Sequence, residues 1–305
     1  MRTHTLGRTG REVSEVGLGA WQIGADWGDV DEDAAMATLH AALDAGVTFF
    51  DTADVYGDGR SERLVGRLRS ERSEPITIAT KMGRRAEQTV ANYSPEHLRA
   101  WNDRSRANLG VETIDLVQLH CPPTDLYYHP EVFDDLEAMV QEGRMAAYGV
   151  SVERVEEALK AIEYPHVATV QIVFNIFRQR PLRLFFAEAA RRGVGVIARV
   201  PLASGLLSGR YTRATTFAGV PYEVGLEAVE ELRELVPEGA TLAQLALRWI
   251  LMHDEVSTVI PGARSPEQAR ANAAAAELPP LSYPATEKIA HLYRDTISPY
   301  VHQRW

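Results

Sequence analysis

Four polar residues lie at or just beyond the ends of short apolar runs: Asp51, Tyr56, Lys81 and His120. The runs are rich in β-branched residues and are bounded by turn or helix signals, which is typical of strands buried on both faces of a parallel sheet. The carboxyl ends of parallel barrel strands converge on one face, and that face carries the chemistry. We therefore expect these side chains to meet at one site.

Together these residue types could protonate an oxygen atom that gains negative charge. The phenol of a tyrosine has a pKa of about 10, and an ammonium within hydrogen-bond reach lowers that pKa. Asp51 would keep Lys81 charged and in place, and a neutral imidazole of His120 could donate to a carbonyl oxygen and orient it. Such a set suits the addition of hydride to an aldehyde or ketone. Taken singly, each residue could equally be a solvated rim residue or a satisfied core residue.

Alternating strand and helix patterns would position these residues. A polar hairpin at 3–16 comes first, and apolar runs then alternate with amphipathic stretches such as those at 31–46, 94–109 and 130–143. This alternation predicts an α/β fold, a (β/α)8 TIM barrel with extra C-terminal helices, and the 305 residues are enough to build one. No linker-like segment divides the chain, so one barrel domain over residues 1–305 is expected.

The pattern changes around the seventh predicted strand. Before it, a helix is predicted at 184–193. After it, residues 201–222 form a loop with several glycines, among them Gly219, that is too long for an ordinary strand-to-helix connection and is expected to be functional. The tail from Pro284 adds a further helix and ends in aromatic residues, including Trp305. Those aromatics could fold over the barrel rim or pack on its side.

Composition and charge narrow the range of partners. An apolar content of 45% is ordinary for a soluble protein, and a net charge of −10 argues against nucleic acid and anionic membranes. Cys121 is the only cysteine, so no internal disulfide can form. As the strand neighbour of His120, it is expected to face the opposite way. The absence of a signal-like or long apolar run predicts a soluble, cytoplasmic protein, and no metal site is predicted.

The sequence resembles the aldo-keto reductase superfamily over nearly its whole length. The matching segments occur in the family's order and are GLGAW at 17–21, DTADVYG at 51–57, Lys81, His120, GVS at 149–151, VQ at 170–171, PLASGLLSG at 201–209 and IPGA at 260–263. The resemblance implies a (β/α)8 barrel whose amino-terminal mouth is plugged by the hairpin, and use of NADPH or NADH without a Rossmann domain. It also implies that Tyr56 is the general acid, that Lys81 and Asp51 tune it, and that His120 orients the substrate carbonyl.

The resemblance further implies a site for NADPH (NADP+) at the carboxyl face. Arg264, before a predicted helix N-terminus, would bind the adenosine 2′-phosphate, and the glycine-bearing loop from Pro201 would wrap the pyrophosphate. Ser151 and Gln171 would hold the nicotinamide carboxamide. The complete cofactor-binding set that the resemblance implies is Ala20, Trp21, Asp51, Ser151, Gln171, Arg199, Pro201, Leu202, Gly205, Leu207, Gly262, Arg264, Gln268 and Asn272.

Two positions depart from the family pattern. Val152 stands where many relatives carry an asparagine, so one carboxamide contact would be missing or would be supplied by Asn175. Arg199 stands where many relatives carry a tyrosine that stacks on the nicotinamide. The packing of that ring would therefore differ in this chain.

The substrate is expected to be a small-molecule carbonyl compound bound by Trp21, Tyr56 and His120, with Tyr127 and Tyr128 adding to a partly aromatic pocket. The identity of the carbonyl and the oligomeric state stay open. Two other functions compete with the reductase. One is a nicotinamide-binding sensing subunit with little turnover, like the β subunits of potassium channels, and the other is a barrel isomerase acting on phosphorylated sugars. The presence of all four catalytic residue types favours the reductase.

Overall fold

Eight parallel strands, paired in chain order, form the central sheet. A short antiparallel hairpin of β1 (Thr3–Thr5) and β2 (Glu12–Ser14) precedes it. The strands of the sheet are β3 (Leu18–Gly19), β4 (Phe49–Asp51), β5 (Thr77–Met82), β6 (Leu116–His120), β7 (Tyr148–Ser151), β8 (Val167–Val173), β9 (Gly195–Arg199) and β10 (Val256–Val259). Gly17 N donates to Val259 O (2.8 Å) and Gly19 N to Pro261 O (3.0 Å), which joins the first strand to the last. The predicted (β/α)8 barrel is confirmed.

Helices flank the sheet, and several begin at residues whose side chains cap the first turn. Asp31 Oδ2 accepts from Ala34 N (3.3 Å), and Ser94 Oγ accepts from His97 N (3.3 Å). The helices are α1 (Glu32–Asp44), α2 (Arg60–Glu71), α3 (Pro95–Leu109), α4 (Pro130–Gln141), α5 (Val155–Ala161), α6 (Arg180–Leu184), α7 (Phe186–Arg191), α8 (Tyr222–Arg233), α9 (Leu242–Ile250), α10 (Pro266–Ala274), α11 (Tyr283–Leu292) and α12 (Ser298–Val301). The last two are the extra C-terminal helices that were expected.

The helix predicted at 184–193 is instead two shorter helices, α6 and α7. Phe185 separates them with φ −112° and ψ −40°. Phe185 and Phe186 are both completely buried. Consecutive residues of a regular helix point about 100° apart, so a break between the helices lets both rings reach the core.

The computed structural model describes residues 1–24, 31–209 and 220–304. Residues 210–219 of the predicted long loop, including Gly219, and Trp305 of the tail lie outside these ranges. Within the described ranges, Val301 and His302 of the tail line a small cavity together with Arg178 and Pro181, which follow β8. No helix in this part of the chain is both long and apolar enough to cross a membrane.

The barrel interior is apolar towards its amino end and polar towards its carboxyl end. One buried cluster contains Leu6, Val13, Phe49, Ala79, Leu116, Ile197 and Ile260. Successive side chains of a strand point to opposite faces, so the residue two positions further on returns to the interior. Two positions beyond four of the apolar residues are Asp51, Lys81, Gln118 and Arg199. The fold therefore gathers polar groups in one layer at the carboxyl face.

The β1–β2 hairpin plugs the amino end of the barrel, as expected. Leu6 and Val13 are completely buried against the apolar layer. Gly7, with φ +49°, passes so close to the strands that a Cβ on it would lie 2.1 Å from Gly195 N. Gly10, in the same hairpin, also has a positive φ of +67°, but no atom lies within 4 Å of the corresponding position. The two glycines therefore share a backbone conformation and differ in the space around them.

Gly7→Ala should destabilise the chain much more than Gly10→Ala. Both changes place an L-residue in the left-handed region, which costs about 1–2 kcal/mol. Only Gly7→Ala also overlaps backbone atoms of the barrel, and overpacking typically costs a further ~1–3 kcal/mol. Urea denaturation of both variants measures the two free-energy losses. Equal losses would contradict close packing of the hairpin against the barrel.

Candidate active site

The side chains of Asp51, Lys81 and Tyr56 form one hydrogen-bonded chain at the carboxyl face. Lys81 Nζ donates to Asp51 Oδ2 (2.6 Å) and to Thr52 O (2.7 Å), and it lies 3.3 Å from Tyr56 Oη. Asp51 and Lys81 are both buried at the ends of the adjacent strands β4 and β5. Their opposite charges are therefore poorly screened by water. The structure thus brings together three of the four residues predicted to act as a set.

The second oxygen of Asp51 is bound by two glutamine side chains. Asp51 Oδ1 accepts from Gln171 Nε2 (2.7 Å) and from Gln118 Nε2 (3.2 Å). Gln118 is missing from the sequence-based set, although it lies two positions before His120 on the same strand and so on the same face. Gln171 was expected to hold a carboxamide, and here its amide nitrogen is bound to Asp51. Its role in cofactor binding stays a prediction.

The loop that carries Tyr56 is held by two arginines. Arg85 Nη1 and Arg104 Nη2 each donate to Asp58 Oδ1 (2.8 Å), and Arg104 Nη1 donates to Asp54 O (3.1 Å). On the other side of the loop, a Cβ at Gly57 would lie 1.7 Å from Gly24 O. This loop is therefore fixed from both sides, which restricts the positions that the Tyr56 phenol can take.

His120 and Trp21 flank the Tyr56 ring. The centroids of the Tyr56 and His120 rings are 5.9 Å apart at 85°, and those of Trp21 and Tyr56 are 6.3 Å apart. His120 Nδ1 is buried with no hydrogen-bond partner among the described residues, so Nε2 is the nitrogen that can reach a substrate. Arg84 Nε donates to His120 O (3.1 Å) and fixes the backbone at this strand end. All four predicted catalytic residues, with the predicted rim tryptophan, therefore share one face.

The pKa shifts of His120 and Lys81 agree with their expected roles, and the pKa shift of Tyr56 does not. Burial, and then the charges of Lys81 and Arg84, hold the pKa of His120 well below its usual value, so the imidazole is neutral at pH 7. Burial depresses the pKa of Lys81, but Asp51 and Tyr56 outweigh it and raise the pKa overall, so the ammonium stays charged. For Tyr56, burial raises the pKa more than Lys81 lowers it. The expected net lowering is therefore wrong, because the groups packed around the phenol remove enough water to outweigh the effect of Lys81.

Backbone strain is concentrated at the same face. Among the described residues, those other than glycine with positive φ are Asp58 (51°), Cys121 (49°), Val200 (54°), Ala203 (48°) and Ser204 (56°). They follow Tyr56, His120 and Arg199, or lie in the loop after β9. Such conformations cost about 1–3 kcal/mol each and cluster at functional sites. The strain therefore supports this face as the functional one.

The loop after β9 has the features expected for binding a pyrophosphate. Pro201, Leu202, Gly205 and Leu207 lie in it, and Leu207 is completely buried. Ala203, Ser204 and Gly205 have positive φ in succession, and no atom lies within 4 Å of where a Cβ on Gly205 would be. An open, glycine-bearing turn of this kind can present backbone amides to an anion. These residues fit a nicotinamide dinucleotide, and their role stays a prediction.

The predicted phosphate-binding residues lie at the start of α10. Ser265 Oγ accepts from Gln268 N (3.3 Å), and Gln268 Oε1 accepts from Arg264 N (2.9 Å). Asn272 Nδ2 donates to Gly262 O (3.1 Å), which ties the helix to the preceding loop. The Arg264 side chain is exposed. The capped N-terminus and an accessible guanidinium fit a phosphate group.

Ala20 and Ser151 complete the predicted cofactor set at the strand ends. Ala20 N donates to Asp51 O (2.8 Å), and Ser151 is buried at the end of β7. Asn175 was the alternative source of a carboxamide contact, but its Nδ2 donates to Val200 O (2.9 Å) and its Oδ1 accepts from Phe177 N (2.9 Å). Because that amide holds a local turn, it is already used within the chain.

Three further expectations are wrong for identifiable reasons. Tyr127 is completely buried and Tyr128 is 66% exposed beneath Lys160, so neither adds to a pocket beside Tyr56. Cys121 does not face away from the site, since its Sγ lies 3.6 Å from Ser151 Oγ and 3.8 Å from Arg199 Nη2. Its positive φ ends the strand geometry, and with it the alternation on which the expectation depended.

Comparisons with known proteins agree with this architecture. Residues 15–294 match the model of the aldo/keto reductase family, and the chain belongs to that family. It is similar in structure to the aldo-keto reductase AKR11C1 from Bacillus halodurans in its holo form. The TM-score is 0.82, with 31% identity over 96% of each chain.

Two other relatives differ in the cofactor that their descriptions name. An aldo/keto reductase from Klebsiella pneumoniae, solved in complex with NADP and acetate, is 25% identical over 95% of each chain, with a TM-score of 0.76. The NADH-specific methylglyoxal reductase of Escherichia coli is 29% identical over 304 residues, covering 90% of this chain and 93% of the relative. These two relatives therefore do not select between NADPH and NADH for this chain.

Asp54 is a buried acid that the sequence analysis did not single out. Its side chain is completely buried, and neither carboxyl oxygen has a hydrogen-bond partner among the described residues. Burial, and then the charge of Glu62, raise the pKa of Asp54 to about 7. Glu62 is itself satisfied by Thr80 Oγ1 (2.6 Å) and Asn108 Nδ2 (2.8 Å). Asp54 is therefore protonated in the folded chain over a pH range in which it ionises when unfolded.

Asp54→Asn should stabilise the chain increasingly as the pH rises from 5 to 8. The pKa of the Asp54 carboxyl rises on folding, from 3.8 to about 7. The folded parent protein therefore loses stability as the pH increases towards 7, because only the unfolded chain can release this proton freely. The advantage of the amide should grow by roughly 2 kcal/mol over this range and level off above it. Chemical denaturation at several pH values measures this difference in unfolding free energy.

Asp58→Asn is the matched control. Its hydrogen bond with Arg85, and then the charge of Arg104, lower the pKa of Asp58, so its contribution to stability is already complete above the usual carboxyl pKa. No comparable growth between pH 5 and 8 is expected for that variant. A pH-independent difference for Asp54→Asn would show that Asp54 is ionised in the folded chain.

Proposed function

We propose that this chain reduces an aldehyde or ketone to an alcohol, with NADPH as the hydride donor and Tyr56 as the general acid. The observation that carries the proposal is the hydrogen-bonded chain from Asp51 through Lys81 to Tyr56, beside a neutral His120. Bound NADPH would supply the hydride. The side chains of this face would orient the carbonyl and donate the proton.

The substrate oxygen would lie between the imidazole and the phenol. His120 Nε2 orients the carbonyl oxygen, and Tyr56 Oη gives its proton to that oxygen as negative charge develops there. The Lys81 ammonium has three donor positions, and two of them are directed to Asp51 Oδ2 and Thr52 O. The third is left for Tyr56 Oη, where it stabilises the phenolate that remains after proton transfer. Asp51 keeps the ammonium charged throughout.

The same arrangement favours an enzyme over a sensing subunit. A protein that only binds the cofactor has no need for a buried ammonium aimed at a phenol. Burying a charged pair costs several kcal/mol per ion unless the geometry compensates. Here the geometry compensates through Thr52, Gln118 and Gln171, which all hydrogen-bond to the pair.

The choice of NADPH over NADH depends on Arg264. Its exposed guanidinium lies at the N-terminus of α10, where the helix dipole also favours an anion. The Klebsiella relative was solved with NADP, which supports the proposal, whereas the relative from Escherichia coli is NADH-specific. The 2′-phosphate is the group that distinguishes the two cofactors, and an arginine matches a phosphate with two parallel hydrogen bonds.

Tyr56→Phe should abolish nearly all carbonyl reduction while leaving NADPH binding intact. The variant loses the proton donor, and general acid catalysis typically contributes about 10²–10⁴-fold. Turnover with an aldehyde panel and NADPH affinity by fluorescence titration are the measurements. Tyr164→Phe is the control, because Tyr164 Oη donates to Tyr127 O (2.8 Å) and its ring stacks on Phe133. More than a tenth of the parent turnover in Tyr56→Phe would contradict the role of the phenol.

Arg264→Ala should weaken NADPH binding about 10- to 100-fold and leave NADH binding nearly unchanged. A charge-assisted hydrogen bond contributes about 1.5–3 kcal/mol, which corresponds to this range. Dissociation constants for both cofactors in the parent and the variant test it. Arg270→Ala, an exposed arginine on the same helix, is the control for loss of charge alone. If Arg264→Ala weakens both cofactors equally, Arg264 does not bind the 2′-phosphate.

A further inference from the structure

Arg199 extends from the end of β9 into the polar layer of the barrel. Its Nη2 donates to Val152 O (2.9 Å) and lies 3.8 Å from Cys121 Sγ. Its Nε is buried with no hydrogen-bond partner among the described residues. The guanidinium is therefore held by the neutral carbonyl of Val152, which follows β7, and it lies beside Cys121, the residue after His120.

The charge of Arg199 is not neutralised by an ion pair within the described part of the chain. Lys81 is paired with Asp51 (2.6 Å), and Arg84 is paired with Glu153 (3.4 Å). No carboxylate among the described residues forms a corresponding pair with Arg199. His120 is neutral, so the positive charge of Arg199 is not offset by an ion pair with any described residue at this face.

This charge acts on the two residues that would hold a substrate. Burial is the main influence on the pKa of both residues. The charges of Lys81 and Arg199 both lower the pKa of Tyr56 and the pKa of His120. Hydride transfer requires van der Waals contact between the nicotinamide and a carbonyl held by Tyr56 and His120. A nicotinamide in that position lies within the field of Arg199.

We propose that Arg199 makes this face discriminate between the two redox states of the nicotinamide, favouring the neutral reduced ring over the cationic oxidised ring. The inference rests on the proposed function only in requiring that the chain binds a nicotinamide cofactor. A tyrosine at this position would carry no charge and could not discriminate in this way. Arg199 would thus determine which cofactor state occupies the site in a mixed pool.

The same charge has opposite effects on binding and on chemistry. Arg199 favours capture of NADPH and release of NADP+, because the oxidised ring repels it. It opposes the hydride transfer itself, since a hydride with its two electrons passes to the carbonyl carbon and leaves a positive charge on the ring. The alkoxide takes its proton from Tyr56, and the Arg199 charge, which lowers the pKa of that phenol, assists this second step. Arg199→Gln should therefore retain NADP+ more tightly.

The deciding measurement is the ratio of the NADP+ to the NADPH dissociation constant at low salt. Arg199→Gln should lower this ratio about fivefold, which is equivalent to about 1 kcal/mol and is in keeping with partly exposed charges. Arg199→Lys keeps the charge and should keep most of the ratio. Arg264→Ala should raise both dissociation constants by the same factor and leave their ratio unchanged, because both redox states carry the 2′-phosphate.

Added salt gives a second test that needs no variant. Screening by concentrated salt should move the ratio of the parent towards that of Arg199→Gln, since the Debye length falls from about 10 Å at 0.1 M to about 3 Å at 1 M. An unchanged ratio in Arg199→Gln, or a ratio in the parent that salt does not alter, would overturn the inference. Binding of neither cofactor by the parent would instead overturn the proposed function.

Discussion

The buried ion pair between Lys81 and Asp51 is the interaction on which the rest of the site depends. Lys81 is 1% exposed and Asp51 3% exposed, and removing either partner would leave an uncompensated charge in the interior. Such a loss typically costs about 3–5 kcal/mol. The pair is satisfied by Thr52, Gln118 and Gln171, so β4, β5, β6 and β8 must keep their relative register for the charges to be tolerated.

This constraint separates the two ends of the barrel. The amino end is closed by a hairpin that packs the apolar side chains of Leu6 and Val13 against the strands. The carboxyl end collects buried charges, the buried Asp54 carboxyl with no hydrogen-bond partner among the described residues, and the strained residues Asp58, Cys121 and Val200. These features cost stability, and the apolar layer beneath them offsets that cost. Because Lys81 is positioned by a strand and not by a loop, the loops of this face can differ in sequence without moving Lys81.

The sequence was sufficient to predict the barrel and to identify the residues at which its strands end. Runs of β-branched residues stop abruptly at Asp51, Lys81 and His120, and each of those ends could be located without a structure. Contacts across the barrel could not be predicted in this way, because the distance between Gln171 and Asp51 depends on how the sheet closes. Strand alternation could have predicted that Gln118 faces the site. The position of Cys121, by contrast, depends on a single positive φ. The depth at which the Tyr56 phenol is buried likewise follows from loops packed around it.

The central claim is that Lys81 acts on the reaction through Tyr56. A double-mutant cycle on the single-turnover rate of hydride transfer tests it directly, with Lys81→Met, Tyr56→Phe and the combined variant, each checked for native secondary structure. Residues that act as a unit are strongly non-additive. The account predicts that Lys81→Met causes little further loss once the phenol has been removed. Losses that simply add would mean that Lys81 acts independently of Tyr56, and would contradict the proton-transfer chain described here.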